Sequence, residues 1–407
     1  MITHKFSFFS VLTLFLLLSC SRNETEVAYP GLNALVDSVR MQYVPDRRDN
    51  VYDISVSGWA NKPVVRGVTS VAGAKTELLN RIREIRPEAV DSICILPDER
   101  LEDRIYAIAN VSVADLRTGP GYEAEMATQL LLGAPMLVFQ SEQGWLRVKT
   151  PENYVAWIQG GTAVRVNEET FRQWLEAPKV IFTDDYGFAY EMPDEHGRRT
   201  SDIVFGNLLK KEGESGRFYQ VSYPDGRKGY VLKSQSRLFD DWKNAIQLTG
   251  ESIVRQAVLL KGIPYTWGGT SVKALDCSGF VKTVYLKHGI VLRRDASQQA
   301  KTGIPVDIGN GYDRLRPGDL LFFGKKAEGG RRERVRHVGI YMGNKEFIHE
   351  AGFVRINSFD PAQPHYDENN TLELIRAARI IGAVGTDGIW KFDENILYQI
   401  QKEIYHD

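Results

Sequence analysis

Leu275-Asp276-Cys277-Ser278-Gly279-Phe280-Val281 is the stretch from which the rest of this 407-residue chain can be read. Beyond it Phe280, Val281, Val284 and Tyr285, with His288 one turn on, recur at helical spacing until Gly289, which can end the helix in a left-handed conformation. The pattern predicts an amphipathic helix with Cys277 on its first turn. At that position unpaired backbone N–H groups and the helix dipole favour an anion, which biases a thiol toward thiolate. A buried structural cysteine is the competing reading.

Two later stretches weigh against that alternative. Arg336-His337-Val338-Gly339-Ile340-Tyr341-Met342 and Glu346-Phe347-Ile348-His349-Glu350-Ala351 read as short strands, joined by the turn Gly343-Asn344-Lys345. Such a hairpin brings two histidines together. A cysteine at a helix start, a histidine on a neighbouring strand and a third polar group behind it form the arrangement that activates a sulfur nucleophile.

Asp276-Cys277-Ser278-Gly279-Phe280, His337-Val338-Gly339-Ile340-Tyr341 and the later His349 resemble the motifs of the NlpC-type cell-wall cysteine peptidases. Upstream, Gly262-Ile263-Pro264-Tyr265-Thr266-Trp267-Gly268-Gly269 is similar to that family's tyrosine segment. The resemblance covers residues 243–385 and implies a circularly permuted papain-like catalytic domain. It implies that His337 takes the proton of Cys277 and that His349 fixes the His337 tautomer. The oxyanion would then be held by the Cys277 N–H and the Tyr265 hydroxyl. Asp276, Ser278 and Asp295 would contact substrate, although Asp276 could equally cap the helix. Ala296 stands where many members of one branch carry serine, which puts one hydroxyl contact in doubt.

Composition sets the outer bounds. With 43% hydrophobic and 25% charged residues the chain is of ordinary globular type, with room for three or four domains. A net charge of -1, with no domain concentrating Lys and Arg, argues against nucleic acid as a partner. The pairs Lys325-Lys326 and Arg331-Arg332 read as a solvated loop. The first residues are a targeting segment: Lys5, the apolar run Phe6 to Leu18, then Leu17-Leu18-Ser19-Cys20. This resembles a bacterial lipoprotein signal, so 1–20 is expected to be a signal peptide, with lipidation of Cys20 and an exported, membrane-tethered body facing the periplasm. An ordinary secretory signal or a membrane span are the alternatives, though the run is short for a span. With Cys20 acylated, Cys94 and Cys277 remain. Ile93-Cys94-Ile95-Leu96 reads as a buried strand, giving Cys94 a packing role and leaving Cys277 as a free thiol.

Residues 21–100 read as a small α/β unit: helices around Leu32–Val39 and Lys75–Ile85, strands at Val51–Val56, Val64–Val68 and Ile93–Leu96. No chemical constellation stands out in it, so it reads as a scaffold. An internal repeat follows. Gly133, Trp145 and Trp157 are matched by Gly206, Phe218 and Tyr230 at an offset of seventy-three. Each copy alternates short β-rich runs with turns, so 101–173 and 174–242 are expected to be two small all-β barrels. They resemble bacterial Src-homology-3 barrels, and Asp115-Leu116-Arg117-Thr118-Gly119-Pro120-Gly121 is similar to the first loop of one. In one branch of the family the first barrel closes the groove, with an acidic residue and a tyrosine on the amine of an N-terminal L-alanine. Glu125 and Tyr154 match those positions by local motif, and a carboxylate at a closed subsite suits an ammonium end.

The fold expected is therefore α+β and multidomain: a permuted papain-like domain preceded by two barrels and a small α/β unit, with 386–407 as a C-terminal segment and Ile396, Leu397 and Ile400 on a packing helix. The activity that the resemblance implies is hydrolysis of the γ-D-glutamyl to L-diamino acid bond in peptidoglycan stem peptides that begin with a free L-alanine. No cofactor and no metal are expected, and the chain is expected to be a monomer. A hydrolase of glycan-attached muropeptides and a non-catalytic peptide-binding lipoprotein remain the alternatives.

Overall fold

The computed structural model describes residues 27–59, 62–392 and 395. Cys20, with the signal segment, and Ile396, Leu397 and Ile400 lie outside them. Among the described residues no helix is long and apolar enough to cross a membrane. The architecture is α+β and multidomain, as expected.

The first unit is a four-stranded sheet under two helices, Pro30–Tyr43 and Ala72–Ile85. Leu32, Val36 and Val39 of the first helix and Leu78, Leu79 and Ile82 of the second share one core with Val56, Val65 and Ile93, which is why the apolar spacing was readable. Its last strand, Val90–Ile95, runs parallel to Lys62–Thr69 at the sheet edge. Here one expectation is corrected: Cys94 is exposed and not packed in a core. The run Ile93-Cys94-Ile95 suggested a strand buried on both faces, but on this edge strand only Ile93 is buried, against the helices.

Two seven-stranded barrels follow, and they have one topology. In the first, the strands in chain order are Tyr106–Ala109, Val113–Arg117, Met126–Leu131, Pro135–Glu142, Trp145–Lys149, Val155–Gln159 and Ala163–Val166; their spatial order is seventh, first, fourth, fifth, sixth, second, third. Lys179–Phe182 to Ser236–Leu238 repeat that order in the second barrel. The offset of seventy-three holds down to single residues. The β-bulge at Leu116/Arg117 recurs at Ala189/Tyr190, and the one at Val138/Gln140 recurs at Lys211/Gly213. Gly133 and Gly206 both take φ +85 at the same turn, and the two turns pack together: Leu208 N–H donates to Leu132 O at 2.9 Å.

The catalytic region starts at the Gly250–Leu259 helix, capped by Thr249 and Ser252 in a reciprocal box. Its six-stranded antiparallel sheet has the order Ile304–Val306, Leu374–Arg379, Leu320–Lys325, Arg334–Gly343, Glu346–Glu350, Val354–Ser358. Alternation along the strands divides two cores. Val338, Ile340 and Ile348 meet Phe280, Val281 and Val284 of the Cys277–Leu286 helix. Phe323, Tyr341, Phe347 and Phe359 pack on the other face. The Gly343-Asn344-Lys345 turn has positive φ at all three residues, the tight reversal that pairs Gly339 with His349. The end of the described chain closes the domain, with Ile389–Lys391 antiparallel to Ile290–Leu292.

The first barrel is docked on this domain by polar groups. Gln129 Oε1 accepts from Thr270 N–H at 3.0 Å and its carbonyl accepts the Thr270 hydroxyl at 3.0 Å. Lys282 Nζ meets the buried Glu152 carboxylate at 2.9 Å.

Candidate active site

Cys277 is the first residue of its helix, as the spacing predicts, and the helix ends at Leu286 with Gly289 left-handed at φ +66. Gly279 in the motif has a steric reason: a Cβ there would lie 1.9 Å from the Gly269 carbonyl oxygen, so only glycine lets the first turn rest against the Tyr265–Gly269 loop. The thiol is buried, and the backbone N–H of Val338, the residue after His337, favours its anion. His337 Nε2 lies 2.8 Å from His349 Nδ1, and His349 Nε2 lies 2.9 Å from Asn357 Oδ1. Asn357 is itself held, donating to the His365 carbonyl at 3.1 Å. The relay therefore has a fourth member that the sequence reading missed. Its signal was there only in the register: Phe347 pairs with Asn357, while His349 stands opposite Arg355 on the same neighbouring strand.

The electrostatics of the site is set by its burial. Burial, and then the Asp276 charge, push the Cys277 thiol up to about 12, and the N–H groups of Val338 and Ser278 only partly oppose them. Burial lowers both imidazoles below their ordinary value, with His349 lowering His337 further and Asn357 partly supporting His349. Enclosure thus works against the thiolate that the helix tip alone would favour, and against the imidazolium. The helix dipole acts within its first turn, and here an enclosed site with an adjacent carboxylate outweighs it.

Asp276 explains part of this. One oxygen accepts the Gly279 N–H at 2.7 Å and caps the helix; the other accepts the Gly268 N–H at 3.0 Å; Arg294, fully buried, donates to both at 3.2 and 2.5 Å. Burial would raise its pKa, but Arg294 and these N–H groups hold it below the usual carboxylate range. Ser278 donates to Asp276 Oδ1 at 3.1 Å and accepts from Arg294 at 2.9 Å. Of the two roles weighed for Asp276, helix capping is the one its bonds serve, and Ser278 is tied into the same cluster. Breaking one member would leave the other charge buried alone, at a cost of about 3–5 kcal/mol.

The remaining residues share one cleft of about 500 Å³ with Cys277. Tyr265 lies on its wall, its N–H donating to Gly352 O at 3.0 Å. Burial, then the charges at Cys277 and Asp276, push its hydroxyl upward, so it stays a proton donor. Glu125, exposed, and Tyr154, buried, come from the first barrel and line the same cleft. So does Asp295, whose carboxylate receives Arg48 at 2.6 Å. Arg48 belongs to the unit that read as a scaffold, in which no chemical constellation stood out. Trp267, 62% exposed, also lines the cleft. Glu350, next to His349, was not singled out either: it is fully buried, its carboxylate finds no hydrogen-bond donor among the described residues, and burial together with Asp276 raises it to about 8.

A cysteine at a helix start under an imidazole-bearing antiparallel sheet defines a papain-like thiol hydrolase, and the comparisons with known proteins agree. Residues 262–374 match the model of the NlpC/P60 family, and residues 116–162 match the bacterial dipeptidyl-peptidase Sh3 domain. The chain carries an NlpC/P60 cysteine-peptidase domain joined to a bacterial SH3 domain. Among curated relatives, a gamma-D-glutamyl-L-lysine dipeptidyl-peptidase of Bacillus cereus is 29% identical over 233 residues, 55% of this chain and 67% of that protein. A protein of the same name from Bacillus subtilis is 27% identical over 271 residues, 65% of this chain and 83% of its own. Among solved structures, an NlpC/P60 family protein from Bacillus cereus superposes with a TM-score of 0.57 at 25% identity, covering 67% of this chain and 99% of that one.

Proposed function

We propose that this protein is a cysteine peptidase that cuts the γ-D-glutamyl to L-diamino acid bond of peptidoglycan stem peptides whose N-terminal L-alanine is free. The observation that carries this is the shared cleft: Cys277 and Tyr265 line it together with a carboxylate and a tyrosine, Glu125 and Tyr154, supplied by a different domain. A thiol and a neutral imidazole cut amides of many kinds. A carboxylate at a closed end selects those that present an ammonium.

Chemically, the Cys277 sulfur attacks the amide carbonyl carbon while its proton passes to His337, so charge separates only as the bond forms. His349, backed by Asn357, keeps the His337 ring in the accepting tautomer. The oxyanion is held by the Cys277 N–H at the helix start and the Tyr265 hydroxyl. His337 then protonates the departing amine as the C–N bond breaks, and water releases the dipeptide from the thioester. Asp295, with Glu125 and Tyr154, holds the amine, and Asp276 and Ser278 support the cleft floor beside Cys277.

The test is to compare kcat/KM on L-Ala-γ-D-Glu-diamino acid with the same peptide N-acetylated. The free peptide is expected to be cut at least ~100-fold faster, the range for removing a charge-assisted hydrogen bond and leaving the cleft carboxylates without their ammonium. Equal rates would remove the roles of Glu125 and Tyr154. Cys277→Ala is expected to abolish turnover while leaving peptide binding in place. We infer further that the protein works outside the cytoplasm, tethered through lipid on Cys20; metabolic labelling with a fatty acid should mark the wild type and miss Cys20→Ser.

A further inference from the structure

The loop between the Pro30–Tyr43 helix and the Tyr52–Trp59 strand contains Asp46, Arg47, Arg48 and Asp49. It is pinned on both sides. The Arg48 carbonyl accepts the N–H of Val155 in the first barrel at 2.7 Å, one residue from Tyr154. Asp49 receives Arg293 at 2.6 Å and Gln298 at 3.1 Å from the catalytic domain. Between these anchors Asp46 takes Nε and Nη2 of Arg48 at 2.7 and 2.6 Å and fixes the plane of the guanidinium. The remaining nitrogen, Nη1, reaches across to Asp295 Oδ2 at 2.6 Å and Ser297 Oγ at 3.0 Å. Burial opposes the charge of Arg48, but the Asp46 bonds and the Asp295 field outweigh it, so it remains a cation.

This is a rigid cation placed on the wall of the cleft, carried there by a unit 247 residues away in sequence from Asp295. Tyr154 feels the charges of both Asp295 and Arg48, so all three stand at one end. Asp46 and Asp295 both hold this guanidinium, and Glu125 lines the same cleft, as do Arg334 and Arg336. Carboxylates on this wall suit an ammonium, and the guanidinium occupies the wall beside them.

We propose that Arg48 is a specificity-determining residue that closes the amine end of the cleft and so limits the acyl side of the substrate to two residues. This rests on the proposed function in placing the substrate amine at that end. The first barrel alone does not make the closure; the N-terminal unit supplies its last piece.

The experiment uses the full mature chain as wild type, Arg48→Ala, Arg48→Lys and Asp49→Asn, with free, N-acetylated and N-glycyl L-Ala-γ-D-Glu-diamino acid peptides. Arg48→Ala is expected to lower the free-to-blocked selectivity by at least ~10-fold, chiefly by raising kcat/KM on the blocked peptides. Arg48→Lys should fall between, because an ammonium replaces the charge but not the planar fork. Asp49→Asn, which weakens one anchor of the loop but keeps the guanidinium, should lower selectivity less than Arg48→Ala does. The selectivity ratio is unaffected by a partly unfolded sample, since both peptides see the same active fraction. An unchanged ratio in Arg48→Ala, an equal loss on all peptides, or the same shift in Asp49→Asn overturns the proposal. A wild type that cuts free and blocked peptides equally would instead overturn the proposed function.

Discussion

The two barrels are built alike and do different things. Their strand order, bulges and glycine turns correspond residue for residue, and so do the backbone bonds beside the cleft residues. Thr118 N–H donates to Glu125 O as Glu191 N–H donates to Arg198 O; Thr150 N–H donates to Tyr154 O as Tyr223 N–H donates to Arg227 O. The positions that carry a carboxylate and a phenol in the first barrel therefore carry two arginines in the second. Only the first copy lies against the cleft of Cys277. One backbone can thus serve as a binding wall or as a neighbouring support, and a few side chains together with the docking face decide which.

The polar bonds that dock the barrels offer the hardest way to break that contrast. Lys282 and Glu152 join the first barrel to the nucleophile helix with side chains 13% and 2% exposed, whereas Lys287 joins the second barrel to the same helix through Asp185, which is 49% exposed. Lys282→Ala leaves a carboxylate buried without its partner and is expected to cost about 3–5 kcal/mol in unfolding free energy. Lys287→Ala should cost at most about 1 kcal/mol. Chemical denaturation of the two variants checks this, and equal losses would mean that the barrels are docked alike. The same pair sets a pH response. Burial raises Glu152, but Lys282 and its hydrogen bonds more than offset this and hold it below its ordinary 4.5. Stability from this group is then present above pH 4.5 and lost as pH falls below it. Melting curves of wild type should drop over that range more steeply than those of Glu152→Gln.

Exchanging the equivalent charges sharpens the comparison at the chemistry. Glu125→Arg gives the first barrel the residue of the second and should lower kcat/KM on the free-amine peptide by about 100-fold, because it removes a charge-assisted hydrogen bond and adds repulsion. Arg198→Glu should stay within ~2-fold of wild type. A comparable fall in both would show that the second barrel also handles substrate. Tyr154→Phe removes one neutral hydrogen bond and should cost about 5- to 10-fold, carried mainly by KM.

Legibility varied with how local the determining physics was. The nucleophile helix, the histidine hairpin and the elements of the first unit were readable because apolar spacing and turn residues act over a few positions. Cys94 misled because an apolar triplet does not say whether a sheet is covered on one face or two. Asn357 and Glu350 went unseen because each gains meaning only from the strand register and burial around it. Arg48 went unseen because nothing in Asp46-Arg47-Arg48-Asp49 distinguishes it from a solvated charge run.

The sequence by itself determined which elements form, the duplicated barrel and the candidate trio of Cys277, His337 and His349, since spacing and side-chain chemistry are written along the chain. Only the tertiary structure decided that the thiol is enclosed beside the Asp276 charge, that Asp276 is bound by Arg294, and that three units share one cleft. Burial and the distances between remote charges arise from packing, and packing joins residues that the chain keeps hundreds of positions apart.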